Sequence, residues 1–320
     1  MPANLPPQYF EAEEEFRQAR TPQEKIEAIR KMLAIMPKHK GTEKLHAYLR
    51  RRLAQLSREA QKKPKVARSS PIDRIKREGA GQATLAGPPN TGKSSLLAAL
   101  TRARPQIAPY PFSTFLPTPG MMPYEDIQIQ LVDLPPLHPD TTEAWVYHLI
   151  RSSDLVLVVV SLSEEDLEGR VLEALGLLEE SKIPLTGEGA KPGILVANMW
   201  DTEGAAEKAR ALKDALGDDL PLVCVSAETG YGLEELKREI FERLGVVRVY
   251  TKEPGHKPDM EKPYVLPKGS TVLDLAAAIH KDLARNFRYA RIWRKGQYDG
   301  LRAPRDLEVK DGDILEVHGG

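Results

Sequence analysis

The chain has 320 residues, room for two or three domains that each bury a core, and its 46 Lys and Arg balance its 46 Asp and Glu. A single cysteine, Cys224, excludes an internal disulfide framework and fits a reducing compartment. The N-terminus carries no charged-then-apolar signal pattern, and the most apolar run, LVLVVV at residues 155–160, is far shorter than the roughly 20 residues a membrane span needs. The expectation is a soluble cytoplasmic protein with no membrane contact.

Residues 1–76 read as a helical hairpin. Thr21-Pro22-Gln23-Glu24 has the form of a capping box with proline at the first helical position, and Ile26, Ile29, Leu33 and Met36 follow at helical spacing until Pro37. A second helix is expected from about Thr42, with Leu45, Leu49, Leu53 and Leu56 as its apolar stripe, closing at Pro64. Charge is uneven here: residues 38–68 hold 11 Lys or Arg against only Glu43 and Glu59, a net of +9. A solvated face and an RNA-phosphate contact surface both account for that run.

Residues 77–247 alternate short β-branched runs with helical stretches. ATLAG, IQIQLVDLP, LVLVVVSL, GILVANMW and LPLVCVSA read as strands; helices are expected at 93–100, 167–181, 205–216 and 233–244. That order predicts a mostly parallel sheet covered on both faces. Residues 248–320 follow a turn-rich passage and offer the strand YVLP, a helix over 271–286, then YARIWRKGQY and DILEVHGG, the pattern of a helix laid across a small mixed sheet.

Gly87-Pro88-Pro89-Asn90-Thr91-Gly92-Lys93-Ser94 fits G-x-x-x-x-G-K-[ST], with a strand before it and a helix after it. The two glycines let backbone N–H groups converge on phosphate oxygens, Lys93 supplies charge to the outer phosphates, and Ser94 offers a hydroxyl to magnesium. The helix N-terminus beginning at Lys93 adds its positive end, with Ser95 in its first turn.

Downstream, Asn198-Met199-Trp200-Asp201 and Ser226-Ala227 each end an apolar strand and resemble the N-K-x-D and S-A motifs of Ras-like GTPases. The resemblance implies that the Asp201 carboxylate accepts from N1–H and the exocyclic amine of guanine, and that the Ser226-Ala227 backbone meets the base oxygen. Met199 departs from the usual lysine; its stem can pack along the base, but the lysine charge is lost. GPPNTGKSS, PYPFSTFLPTPGMM and VDLPP resemble the Obg branch of translation-factor-related GTPases. The N-terminal helices and the stretch VYTKEPGHKPDMEKPYVLPKGSTVLDLAAAIHKDLARNFRYARIW resemble its Drg/Rbg subgroup, which carries a TGS domain. Together these imply an α/β protein: a Ras-like P-loop GTPase domain at 77–247, an N-terminal helical hairpin at 1–76 and a β-grasp TGS domain at 248–320. Only 65 positions separate Asp133 from Asn198, which leaves no room for the domain that Drg proteins insert there.

The resemblance assigns Thr114 as the switch threonine over magnesium, with Ser113 where many relatives have a second threonine. Asp133 becomes the D-x-x-G aspartate that holds a magnesium-bound water. Pro136 replaces the motif's glycine and has no N–H for the third phosphate. Either a neighbouring amide substitutes or nucleotide sensing is blunted. Leu137 stands where Ras-type enzymes place a water-orienting glutamine; Obg-like GTPases also have an apolar residue there, so Leu137 alone does not imply a dead enzyme. Asn90 reads two ways: as a potassium ligand beside the phosphates, as in potassium-activated relatives, or as a turn residue. The implied activity is GTP hydrolysis to GDP, slow and stimulated by potassium or a regulatory protein partner; the rival is a guanine-nucleotide scaffold that no longer turns over.

For partners, the TGS resemblance and the basic residues point to RNA or the ribosome, with no DNA expected. Lys281, Arg285, Arg288, Arg291, Arg294 and Lys295 interleave with Phe287, Tyr289, Trp293 and Tyr298, as in surfaces that track phosphates and stack bases. Phe287, Tyr289 and Trp293 also read as partly core with an arginine rim, the favoured account. A Gly319-Gly320 pair has the form of an activated β-grasp tail, but TGS domains of the family end near here, and an accidental flexible tail is the favoured account. His138, His148, His256, His280 and His318 show no metal-ligand spacing.

Overall fold

The computed structural model describes residues 6–18, 22–37, 46, 49–53, 75–101, 117–217 and 219–319. The chain forms two compact units, Met1–Ser69 and Ser70–Gly320.

In the first unit, α1 (Pro7–Gln18) and α2 (Pro22–Ile35) share a core of Tyr9, Ala12, Ile26, Ile29 and Met32, joined by Met36 and Leu49. The sequence reading anticipates α2 but not α1, whose thin apolar stripe runs among four glutamates. Leu49 and Leu53 of the expected leucine stripe do pack on this core. Thr21 and most of the second basic helix lie outside the described residues.

The second unit holds two sheets. The first contains β1 (Gln82–Ala86), β2 (Thr118–Tyr124), β3 (Ile127–Asp133), β4 (Leu155–Ser161), β5 (Gly193–Asn198) and β6 (Leu222–Cys224), in the order β2-β3-β1-β4-β5-β6. All neighbours are parallel except β2 and β3. Every residue of β4 is buried, as a parallel strand covered on both faces requires. One face packs α4 (Ala144–Ser152), α5 (Leu167–Glu180) and α6 (Ala205–Leu216) against Val156, Val158 and Leu195. The other packs α3 (Lys93–Leu100) and α7 (Leu233–Leu244) against Leu85, Leu157 and Val196. β2 contains Pro119 and Pro123, tolerable because it is the sheet's edge strand. Between Asp133 and Asn198 the chain is taken up by α4, β4, α5 and β5, so no inserted domain interrupts it.

The second sheet begins at once after Gly245, with β7 (Val246–Thr251), β8 (Asp259–Pro267), β9 (Phe287–Arg294), β10 (Tyr298–Ala303) and β11 (Asp313–Gly319) in the order β10-β9-β11-β7-β8. β11 and β7 are parallel and the other pairs antiparallel. YARIWRKGQY is thus the turn of a hairpin with its flanks. The single helix expected over 271–286 is two, α8 (Val272–Ile279) and α9 (Lys281–Arg285). They part at His280, whose extended backbone ends the first helix while its ring accepts from the Asp282 N–H to start the second. A reciprocal Thr271–Asp274 capping box starts α8, and Val272 and Leu275 pack on Val249, Ile292 and Leu315. Gly319 is paired in β11 with Phe287, and an added Cβ would meet Leu283 at 2.8 Å, so this glycine is strand rather than free tail; Gly320 lies outside the described residues. Among the described residues no helix is long and apolar enough to cross a membrane.

Candidate functional site

The parallel strands bring their carboxyl ends to one edge, where open α/β sheets bind ligands. β1 runs into the glycine loop, β3 ends at Asp133 and β5 ends at Asn198. A cavity of about 340 Å³ lies there, walled by Pro89–Ser95 of the loop and by Asp133–Pro136.

The loop's shape depends on its glycines. A Cβ on Gly87 would strike the Val159 carbonyl at 2.2 Å, and one on Gly92, at φ 78°, would strike Asn198 Nδ2 at 2.5 Å. Asn90 also has a positive φ, 62°, which supports its turn reading without removing the other, since its side chain has no hydrogen-bond partner among the described residues. Thr91 is buried and donates to the Pro88 carbonyl. Gly92 caps α3 with no side chain, so the first-turn amides of the helix, including those of Ser94 and Ser95, face an anion site.

Lys93 is 6% exposed and donates to the carbonyls of Gly87 and Pro88, at 3.2 and 2.7 Å. Burial lowers its pKa to about 8 against the pull of Asp133. Burial likewise pushes Asp133 above the usual carboxylate range, opposed by the Ser94 hydrogen bond and by Lys93. Ser94 Oγ donates to Asp133 Oδ2, while Asp133 Oδ1 is buried with no partner. Such an orphaned buried oxygen is costly unless something fills it. Two adjacent hard oxygens fit a magnesium ion completed by water and phosphate, although among the described residues no cluster of three His, Cys, Asp or Glu exists to cage a metal alone. Thr114 and Ser113 lie outside the described residues.

At the other end, Asn198 is 2% exposed and joins both loops. Its Nδ2 donates to the Thr91 carbonyl at 3.0 Å, and its Oδ1 accepts from the Ala227 N–H at 3.1 Å. Ser226 Oγ accepts from the Thr229 N–H, tightening the turn that presents Ala227. Met199, at φ 66°, accepts from the hydroxyls of Ser161 and Ser163 through its sulfur, and its methyl approaches Gly92. Asp201 is exposed in the following turn, and no hydrogen bond occupies its carboxylate among the described residues.

Sequence reasoning misses one pair: Trp200 stacks on Tyr231 at 5.3 Å between centroids and 7° between planes, tying the loop after Asn198 to the loop after Ser226. Only the aromatics beside each motif signal it. Pro135 and Pro136 lack N–H groups, and the nearest amides on either side are occupied: Leu134 donates to the Leu85 carbonyl, Leu137 to the Gly87 carbonyl and His138 to the Thr142 hydroxyl. The Leu137 side chain is 4% exposed and packs in the core with Val146 and Leu149.

In the second sheet, of the three aromatics expected in the core Phe287 packs against it, as does Tyr298; Tyr289 and Trp293 are half-buried and carry Arg302 and Lys252 over their rings. Arg294 is held by Asp313 at 2.7 and 2.6 Å, so it is spoken for internally.

The profile of a 50S ribosome-binding GTPase family matches residues 82–199, and that of the TGS domain matches residues 247–318. An uncharacterised GTP-binding protein of Methanocaldococcus jannaschii is 28% identical over 364 residues, covering 92% of each chain. Developmentally-regulated G-protein 1 of Arabidopsis thaliana is 27% identical, covering 92% of this chain and 90% of its own. Developmentally-regulated GTP-binding protein 1 of Xenopus laevis is 25% identical, covering 92% and 98%. The first of these alignments, 364 residues against a chain of 320, is longer than the chain, so that relative carries segments this one lacks.

Proposed function

Because the chain belongs to the Drg-like Obg GTPases and carries a TGS domain, we propose that it is a slow GTP-hydrolysing switch acting with RNA or the ribosome in the cytoplasm. Its working parts are a helical region at 1–76, a nucleotide domain at 77–247 and a TGS domain at 248–320.

The observation that carries the nucleotide reading is Asn198, one buried side chain hydrogen-bonded to the phosphate loop and to the Ser226-Ala227 turn. It sets a fixed span between a polyphosphate grip and a base cleft. In this reading Gly87, Asn90, Thr91, Gly92, Lys93, Ser94 and Ser95 hold the phosphates. Asn198, Met199, Asp201, Ser226 and Ala227 form the guanine end. The free Asp201 carboxylate takes two donors from guanine, and adenine would leave it unpaired, a discrimination of several orders of magnitude. Ser94, Asp133 and Thr114 would hold magnesium, which when bound neutralises charge on the outer phosphates. Titrating labelled GDP, GTP and ATP with and without magnesium tests this; tighter ATP binding would sink it.

For hydrolysis, Lys93 stabilises charge that develops on the outer phosphates. Leu137 offers no polar group to orient water, and the loop after Asp133 offers no free amide. Turnover is therefore slow and calls for added positive charge from a potassium ion at Asn90 or from a regulatory protein. Turnover at least tenfold faster in potassium than in sodium is expected, with Lys93→Ala as the inactive control; equal rates remove the cation role.

The same tied amides favour a second reading, a guanine-nucleotide scaffold without turnover. Absence of phosphate release in potassium, with GDP still bound tightly, would select it.

A further inference from the structure

One edge of the second sheet gathers positive charge that carboxylates leave largely unbalanced. Where β9 begins and β10 ends, a cavity of about 600 Å³ is lined by Arg285, Arg288, Arg302 and Arg305, with no acidic side chain in its wall. The four come from separate stretches: the last turn of α9, β9, β10 and the loop beyond it. All four are exposed. Arg285 has a distant carboxylate partner, Asp282 at 3.8 Å. Among the described residues no hydrogen bond or ion pair reaches the guanidinium groups of Arg288, Arg302 or Arg305. Two other arginines of the sheet are closely paired, Arg248 with Asp126 at 2.8 Å and Arg294 with Asp313 at 2.6 Å, while Arg291 of β9 is exposed outside the cavity. Like charges converging on one cavity repel, and an anionic ligand relieves that repulsion.

The aromatic wall indicates which part of a ligand is read. Arg302 lies over the Tyr289 ring at 4.9 Å, and Tyr289 also stacks on His318 at 4.2 Å. With its ring so engaged, Tyr289 is a poor platform for a base. Trp293 likewise carries Lys252 over its ring at 4.8 Å. What this surface offers is guanidinium forks, which match phosphate oxygens two at a time. Four such forks around a cavity far larger than one phosphate suit successive phosphates of a chain.

We propose that the cavity bounded by Arg285, Arg288, Arg302 and Arg305 seats the phosphodiester backbone of RNA, held by charge and not by base sequence. The proposal rests on the reading above that the protein works with RNA, and it places that contact on a defined surface. It adds Arg302 and Arg305, which the sequence pattern does not single out, and leaves out Arg294.

The test uses the full chain loaded with GDP and a labelled mixed-sequence RNA hairpin, followed by anisotropy across a salt series. Arg288→Ala, Arg302→Ala and Arg305→Ala combined should weaken RNA binding at least tenfold. The combined variant should also flatten the slope of log affinity against log salt by about 2, near 0.7 per lost phosphate contact, while GDP affinity stays unchanged. The matching triple lysine variant, which keeps the charge should the alanine variant misfold, should keep the wild-type salt slope and bind more weakly than wild type but more tightly than the alanine triple, because lysine lacks the fork. RNAs of unrelated sequence should bind within about threefold of each other. Wild-type affinity in a folded alanine triple would overturn the assignment of the cavity and leave the RNA reading standing. No RNA binding by the wild-type chain at low salt would overturn both. Displacement of RNA by pyrophosphate at concentrations similar to RNA would show a small-anion pocket instead, and tighter binding of duplex DNA would overturn the choice of RNA.

Discussion

The Asn198 side chain donates to the Thr91 carbonyl at 3.0 Å while accepting from the Ala227 N–H, so one buried amide fixes the phosphate loop relative to the base-side turn. Asn198→Ala removes both bonds and strands two backbone groups, a cost of about 1–3 kcal/mol for each group left buried. GDP affinity should fall about ten- to a hundredfold, with a melting temperature lowered by several degrees. Unchanged GDP titration curves would show that the bridge does not shape the site.

Gly92 belongs to the same device. Its φ of 78° already disfavours a side chain, and an added Cβ would press on Asn198 Nδ2 at 2.5 Å. Gly204 has nearly the same φ, 75°, with nothing within 4 Å of its Cβ position. Alanine at either site bears the left-handed strain of about 1–2 kcal/mol; only Gly92→Ala also dislodges Asn198. GDP binding should drop at least tenfold in Gly92→Ala and stay within about twofold in Gly204→Ala. Equal losses in both would mean that backbone strain alone matters.

Arg248 joins the two sheets of the second unit. It donates to Asp311 at 2.7 Å in the turn before β11 and to Asp126 at 2.8 Å in the turn between β2 and β3, and it lies 5.0 Å over the Phe241 ring. Tyr250 donates to the other oxygen of Asp126. Although burial pushes Asp126 up, the Tyr250 and Arg248 hydrogen bonds hold it below the usual carboxylate range. A depressed folded value means that this stabilisation is present above the unfolded pKa and is lost as pH falls through the folded one. Arg248→Met leaves Asp126 with less compensation; allowing for the partial exposure of its partners, the loss should be about 1–3 kcal/mol near neutral pH. The gap between wild-type and variant melting temperatures should narrow as the pH drops into the acid range. A constant gap would assign Arg248 a packing role only.

How much of this was legible in sequence depends on how local the signal is. The glycine loop, β4 and α7 announce themselves through glycine spacing, an unbroken apolar run and helical periodicity. β2 does not: Pro119 and Pro123 argue against a strand, and only its place at the sheet edge makes it one. The break at His280 depends on a side-chain cap that leaves the apolar pattern of 271–286 intact. At the site, motif spacing indicates Lys93, Asp133 and Asn198. It is silent on long-range pairings such as Asn198 with Thr91, or the capture of the Leu137 amide by Gly87, because these are set by tertiary placement. Arg302 and Arg305 escape notice for the same reason: register sets Arg302 opposite Arg291, and the path of the chain beyond Ala303 brings Arg305 to the cavity that Arg288 and Arg302 also line.

Lys93 makes nucleotide binding sensitive to pH. In the free protein burial holds its pKa at about 8, against 10.5 for an unhindered lysine. Between these values the unfolded chain binds the extra proton, so stability of the free protein rises as pH climbs from 8 toward 10.5, the burden of the buried charge being fully felt below 8. Bound phosphate has the opposite preference, because its oxygens stabilise protonated Lys93. GDP affinity should therefore be nearly level below about pH 8 and then decline by up to about tenfold per pH unit, with proton uptake on binding above that point. Calorimetric GDP titrations in buffers of different ionisation enthalpy, kept below the pH at which guanine itself ionises, measure both quantities. Level affinity through this range with no proton taken up would show that Lys93 remains fully charged in the empty loop.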